Sequence, residues 1–314
     1  MLFSYKSTFN DWRVKAMNES DSIELIVGLA NGDGKLLISQ PLDEFLNGNR
    51  SIPILNAYTG RKLFDILVDD LGVIRYKDNK LALTTIIQLD TYNTAMRLLG
   101  KIAEAVIVRR CHEDENINKT WFSIARRKNA KSDTARRFQA LGTGLMKTKD
   151  IWPQRYNPSD PHRDIIWVDF KKGSIANIKG STSMDGLEAG LQVKVSGDGC
   201  KYFLNDLYNI RYEVPVVYFD INNDFDVVAC KLIEYRQNRN ESRIYINEDL
   251  ISAKATDFNA YQEVCYYVDL VMGLLDGRLK PEDLVNEAEK YSSLMNAVSA
   301  ASLEGFGIGT KMLH

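Results

Sequence analysis

Leu191-Gln192-Val193-Lys194-Val195 alternates apolar and polar residues through the middle of the chain. Successive side chains of a strand point to opposite faces. Leu191, Val193 and Val195 therefore share one face, predicted to meet the core, while Gln192 and Lys194 share the other. A lysine beside a second polar residue on a core strand is costly unless the pair is used. Working outward, Arg163-Asp164-Ile165-Ile166-Trp167-Val168-Asp169 opens an apolar strand with an aspartate, and Val216-Val217-Tyr218-Phe219 reads as a further apolar strand. Upstream, Leu98, Leu99, Ile102, Ala103, Val106 and Ile107 recur at helical spacing and predict a helix over residues 92 to 111. Glu104 sits at the edge of that stripe.

These elements belong to a chain of 314 residues, 45% hydrophobic and 26% charged, which is an ordinary globular composition. That length fits one large domain or two to three small ones. The net charge of −2 offers no argument from global basicity, so a nucleic-acid partner has to be argued from local patches. Four cysteines, at 111, 200, 230 and 265, form no C-x-x-C pair. This speaks against a structural zinc site and for reduced thiols in a cytoplasm. The start has no long apolar core followed by a cleavage site, and no run reaches about 18 apolar residues. The expectation is a cytoplasmic protein that is neither secreted nor membrane-spanning.

Residues 1 to 95 read as a small α+β module. A hairpin is predicted over 22 to 39, turned at Asn31-Gly32-Asp33-Gly34. A helix over 61 to 71 follows, ended by Gly72, and then a second hairpin over 73 to 84. A helix followed at once by a basic hairpin resembles the end of a winged-helix module; a small α+β domain with no DNA role is the plainer reading. Residues 96 to 250 form the predicted core. It holds a helix over 132 to 141, strands over 164 to 170, 175 to 178, 189 to 196, 214 to 221 and 227 to 235, and a helix over 201 to 211. A short strand over 243 to 246 precedes a helical C-terminal segment, 251 to 314, whose glycine-rich tail at 305 to 309 reads as loose. The fold class is α/β, a mixed β-sheet flanked by helices, with the α+β module before it and the helical segment after it.

At Asp164, Gln192 and Lys194 the chain resembles the PD-(D/E)XK nuclease superfamily. Its signature is an aspartate at a strand start, then (D/E/Q)-x-K on the neighbouring strand. The glutamine form is similar to the Mrr-like restriction endonucleases. Family members also carry an earlier helix with an acidic residue facing the metal, and Gly100-Lys101-Ile102-Ala103-Glu104-Ala105-Val106 resembles that helix. The resemblance implies a restriction-endonuclease-like core and a Mg²⁺- (or Mn²⁺-) dependent endonuclease acting on DNA in restriction or anti-phage defence. Asp164, Gln192 and Glu104 would bind the metal, and Lys194 would assist the attacking water. It leaves room for a homo-oligomer or a defence-system partner protein. From Asp164 to Gln192 is 28 residues (192 − 164), longer than the usual hairpin, so an insertion around 173 to 185 is expected. Asp185, seven residues before Gln192, is the second-ranked aspartate. A non-catalytic nucleic-acid-binding or regulatory subunit on the same core is the alternative, because Gln192 removes one negative charge from the metal seat.

Between 119 and 149 there are nine basic residues, Lys119, Arg126, Arg127, Lys128, Lys131, Arg136, Arg137, Lys147 and Lys149, against the single acid Asp133. Arg126, Arg127, Lys128, Arg136 and Arg137 are the candidate phosphate contacts; a solvated helical face is the plainer reading. Arg155 and Arg163 extend the basic stretch toward Asp164. The Gly32-Asp33-Gly34 turn does not match the P-loop pattern, and the chain has no G-x-S-x-G nucleophile context.

Overall fold

A five-stranded mixed sheet forms the centre of the computed structural model. The structure describes residues 22–30, 36–47, 49, 52–77, 80–84, 90–179, 185–197, 201–240, 246–285 and 305–313. The chain divides into two compact units, 1–58 with 288–314, and 59–287.

In the smaller unit, β1 (Ser22–Ala30) pairs antiparallel with β2 (Leu36–Pro41), which leads into the short helix α1 (Leu42–Leu46). This is the predicted first hairpin. Helix α2 (Ile52–Asp65) follows and continues as a π-helical turn, Ile66–Asp70. The second hairpin is β3 (Ile74–Lys77) with β4 (Lys80–Leu83). Leu63, Ile66, Leu67 and Ile74 are buried in the same apolar cluster as the sheet of the larger unit. Shared burial thus puts this helix end and hairpin with the larger unit rather than in a module of residues 1 to 95.

Helix α3 (Thr91–Glu113) starts where the Asp90 carboxylate caps the Asn93 N–H. Its apolar stripe is buried, Leu99, Ile102, Ala103 and Ile107 completely. Asp114 caps the next helix, α4 (Glu115–Ala125), through the N–H groups of Asn116 and Ile117. The helix expected over 132 to 141 is only one turn, α5 (Ser132–Ala135), before the chain extends as β5 (Phe138–Gly142). Asn118 Nδ2 donates to the carbonyls of Ala135 and Phe138, and β5 then finds a ladder partner in residues 165 to 169. A tertiary tether overrides the local helical signal.

After α6 (Met146–Ile151) comes that partner, β6 (Ile165–Asp169), buried along its length and antiparallel to β5. β7 (Gly190–Ser196) pairs antiparallel with β6 only at Ile165↔Leu191 and Ile166↔Gly190. Gly190 is required there, because a Cβ would stand 2.8 Å from the Ile165 carbonyl oxygen. The expected insertion occupies the interval between these strands. Ile175 and Asn177 make isolated bridges, to Val168 and Glu188, rather than the continuous strand expected at 175 to 178. Helix α7 (Lys201–Tyr208) crosses over to β8 (Val216–Asp220), which runs parallel to β7 with Gln192 opposite Val216 and Lys194 opposite Tyr218.

The strand expected at 227 to 235 is instead part of α8 (Phe225–Asn238). Val228, Leu232 and Arg236 are buried at four-residue intervals while Val227 and Cys230 face solvent, a helical period that the Val-Val-Ala-Cys run conceals. The strand expected at 243 to 246 lies largely outside the described residues; Ile246 begins α9 (Ile246–Asp249). Next come β9 (Leu250–Ser252), parallel to β8, then α10 (Ala253–Thr256) and α11 (Phe258–Asp276), which packs on α3. The order across the central sheet is thus β5-β6-β7-β8-β9. The C-terminal segment is helical only in part. The tail expected to be loose is a strand, β10 (Gly305–Leu313), antiparallel to β1. Main-chain groups alone make that ladder, so the glycines at 305, 307 and 309 do not forbid it. Among the described residues no helix is long and apolar enough to cross a membrane.

The two faces of β7 meet different partners. Leu191, Val193 and Val195 join the cluster built on α3, α11 and Trp167. The opposite face of the adjoining β8 places Val216 and Tyr218 against Phe203, Leu207 and Tyr212. The predicted apolar face is therefore buried as expected; on the other face Gln192 is buried too, and Lys194 is partly exposed.

Candidate active site

Asp164 immediately precedes β6 and is anchored from both neighbouring strands. Its N–H donates to the Leu191 carbonyl at 2.9 Å, and its carbonyl accepts from the Thr143 N–H at 2.8 Å. Its carboxylate Oδ2 accepts from Gln192 Nε2 at 2.5 Å and from the Val193 N–H at 2.8 Å. An ionised carboxylate only accepts, so Gln192 must turn its NH₂ toward Asp164 and its carbonyl away. That carbonyl oxygen, Oε1, is buried without a hydrogen-bond partner.

Glu104 enters the same site from α3 and is 2% exposed. One turn earlier on the helix, Lys101 places Nζ 2.8 Å from Glu104 Oε1 and 3.6 Å from Asp164 Oδ1. Glu104 Oε2, like Gln192 Oε1, is buried and accepts no hydrogen bond, and the Glu104 carboxyl is close enough to Asp164 to share a proton with it. Burial, reinforced by the Asp164 charge, pushes the Glu104 carboxyl well above the usual carboxylate range against the opposing pull of Lys101. Burial opposes the charge on Lys101 too, but Glu104 and Asp164 together outweigh it and hold the ammonium above its ordinary value.

Lys194 lies on the same strand face as Gln192 and is half-buried. It makes no ion pair within 4 Å with any described residue; its ammonium instead lies 5.3 Å from the centre of the Tyr212 ring. Burial lowers its pKa, with Asp164 the largest opposing influence. The Tyr212 hydroxyl donates to Asp206 Oδ2 at 2.9 Å, and Arg211 pairs with Oδ1 of the same carboxylate at 3.0 Å. Burial, then Asp206, push the Tyr212 phenol upward, so it stays a hydrogen-bond donor.

Glu104, Asp164, Gln192 and Lys194 are therefore brought together, joined by Lys101, Tyr212 and Asp206, which the sequence reading did not single out. Lys101 was legible: three residues before Glu104, it had to lie on the same helix face. Tyr212 was not, because its place depends on how the chain returns after α7. Asp185, the second-ranked aspartate, is exposed on the turn before β7. Among the described residues no group of three or more His, Cys, Asp or Glu side chains is placed to hold a metal. The site instead offers two carboxylates and an amide carbonyl, with one unpartnered oxygen on Glu104 and one on Gln192. That donor set suits a hard cation such as Mg²⁺, which takes one or two carboxylates and completes its shell with water and substrate oxygens.

Within the basic stretch the arginines have partners in the fold, while most of the lysines are exposed. The Arg127 side chain is 2% exposed and pairs with Asp249 at 3.0 Å. Arg126 lies over the Phe122 ring and donates to the Asn177 carbonyl. Arg136 pairs with Glu115 and Arg137 with Asp169. Lys128 is exposed. Arg155 and Arg163, which continue the patch toward Asp164 in sequence, bond the Gly173 carbonyl and Glu188. A cleft of about 550 Å³ lies elsewhere, lined by Lys119, Thr120, Ser123, Lys128, Asn247 and Glu248 among others; none of the residues around Asp164 belongs to it. The converging acidic side chains, rather than that cleft, carry the chemistry.

Comparison with family models, curated proteins and solved structures finds no match. The functional reading therefore rests on the site itself.

Proposed function

We propose that this protein is a divalent-metal-dependent nuclease that hydrolyses phosphodiester bonds of DNA, with a role in restriction or anti-phage defence. One observation carries the reading: Glu104, Asp164, Gln192 and Lys194 converge from α3, β7 and the start of β6, and buried oxygens of Glu104 and Gln192 in that site have no partner. Leaving such atoms bare costs about 1–3 kcal/mol each. An acidic helix, an Asp-strand, a Q-x-K strand and an apolar strand also follow one another in α3, β6, β7 and β8, the order implied by the resemblance to PD-(D/E)XK nucleases.

Glu104, Asp164 and the Gln192 carbonyl would hold the metal, whose chemistry when bound is to acidify water and stabilise charge on the phosphoryl oxygens. The protein's part is positioning. Asp164 is fixed by two N–H donors on one oxygen, which leaves Oδ1 to face the site. Gln192 is oriented by its own bond to Asp164. Lys194 brings an ammonium with no ion pair to a described residue. It orients the attacking water and offsets charge as the new P–O bond forms and the bond to the leaving alkoxide breaks.

The test is cleavage of plasmid and linear DNA by the purified chain with Mg²⁺ or Mn²⁺, against EDTA and against Asp164→Asn. Metal-dependent cleavage lost in Asp164→Asn supports the reading. Salt-sensitive DNA binding with no cleavage under any metal favours the non-catalytic alternative, for which the neutral Gln192 supplies a specific cause.

A further inference from the structure

The Lys101 ammonium stands where a cation would have to stand. Its Nζ is 2.8 Å from Glu104 Oε1 and 3.6 Å from Asp164 Oδ1, so a single positive charge stands between the two acidic side chains of a buried site. Unlike those carboxylates it is not locked in: 39% of its side chain is exposed, while theirs are 3% and 10% exposed. Beside it Gly144 has no side chain, and a Cβ there would lie 3.7 Å from Nζ. A flexible four-carbon stem with an open flank can move; a buried carboxylate on a helix cannot.

We propose that Lys101 is the built-in occupant of the cation seat, and that a divalent ion enters by exchange with its ammonium. An ammonium and a divalent ion cannot share two carboxylates a few ångströms apart, because their repulsion in a partly dry site exceeds what either gains from being shared. The exchange gives the site a rule for choosing ions. A monovalent ion offers no more charge than the lysine already present and must also be dehydrated, so it does not compete. A divalent ion doubles the charge between Glu104 and Asp164 and reaches the unpartnered Glu104 and Gln192 oxygens that the ammonium leaves bare. The displaced ammonium swings toward solvent, to which 39% of its side chain is already exposed. This inference rests on the nuclease reading only in taking the seat to be a cation site; it requires no catalysis.

The experiment is calorimetric titration of the full chain with Mn²⁺, without nucleic acid, for wild type, Lys101→Met, Lys101→Arg and Asp164→Asn. Lys101→Met keeps the length of the side chain and removes its charge. It is expected to bind Mn²⁺ about tenfold more tightly than wild type, equivalent to about 1.4 kcal/mol. Lys101→Arg keeps the competing charge and is expected to stay within about threefold of wild type. Asp164→Asn is expected to lose the site. Melting temperatures, which also report folding, should show Lys101→Met less stable than wild type without metal and raised more than wild type by Mn²⁺. Equal or weaker Mn²⁺ binding by Lys101→Met, with wild-type binding still dependent on Asp164, overturns the exchange and leaves the cation seat standing. No Mn²⁺ binding by any of the proteins overturns both.

Discussion

Gln192 Nε2 donates to Asp164 Oδ2 at 2.5 Å, joining two residues 28 positions apart (192 − 164) across the point where β6 and β7 part. The bond gives the neutral amide at this position a role: it holds Asp164 in place and cancels none of its charge. It also means that the two residues are not independent ligands. Whatever changes Gln192 changes Asp164.

Gln192→Glu is the sharpest probe of that coupling. The change replaces an N–H donor with an anion against Asp164, so without metal the variant should melt several degrees below wild type. A bound divalent ion reverses the sign, since a third carboxylate then adds to its ligands. The melting temperature of Gln192→Glu should therefore rise more steeply with Mn²⁺ than that of wild type, and half-maximal cleavage should need less metal. Destabilisation that Mn²⁺ fails to reverse would count against direct coordination by residue 192.

Lys194 shows the same tension between function and stability. Burial lowers its pKa below the ordinary 10.5, with Asp164 opposing. Between the lowered value and 10.5 the folded protein binds fewer protons than the unfolded chain, so stability rises with pH across that window. The cost of the charged lysine is full below the window and absent above it. Lys194→Met should thus abolish cleavage yet raise the melting temperature by about 2 °C on the acid side of the window. The gain should vanish as pH passes 10.5. Thermal melts from about pH 7 to about pH 11 would show it; a variant less stable than wild type throughout would mean that the ammonium supports the fold.

The alternation at 191 to 195 was enough to place β7 and its two faces, because a period of two has one physical cause. The order of Glu104, Asp164 and Gln192 was likewise legible, and so was the helix under Glu104. What the sequence hid was tertiary. Val227 to Tyr235 looks like a strand until Val228, Leu232 and Arg236 find an interior to face. Phe138 to Leu141 reads as the end of a helix until Asn118 tethers the chain and β6 offers a ladder. The basic run reads as one surface, yet most of its arginines have separate carboxylate or carbonyl partners, which no count of lysines and arginines could reveal.

One of those partners makes a strong prediction about stability. Asp249 binds Arg127 through Oδ1 at 3.0 Å and Arg236 through Oδ2 at 2.8 Å, with both guanidinium side chains at most 2% exposed. Asp249→Ala removes the carboxylate and leaves two buried cations without it, a change expected to cost about 3–5 kcal/mol. Asp249→Asn should cost less, because its amide oxygen still accepts one bond. Urea unfolding separates the two, and a loss under about 1 kcal/mol for the alanine variant would show that water reaches the triad.

The last prediction concerns where DNA would lie on the basic stretch. Arg127 is buried on Asp249, so neutralising it tests the fold before it tests binding, and the exposed Arg136 and Arg137 already have Glu115 and Asp169 as partners. Lys119 and Lys128 are different: both line the cleft beside Thr120 and Ser123, and neither makes an ion pair with a described residue. If phosphates run along this cleft, each lysine that meets one releases condensed counterions from duplex DNA. Neutralising both as Gln should then reduce the slope of log affinity against log salt by about 0.9 for each phosphate no longer neutralised. Binding should weaken alike on all sequences, since phosphates carry no base information. Arg127→Gln should chiefly lower the melting temperature, with the salt slope of the folded fraction unchanged. An unaltered slope in the Lys119→Gln, Lys128→Gln protein would remove this face as a DNA track, while leaving the carboxylate site, and the exchange at Lys101, to be judged on their own titrations.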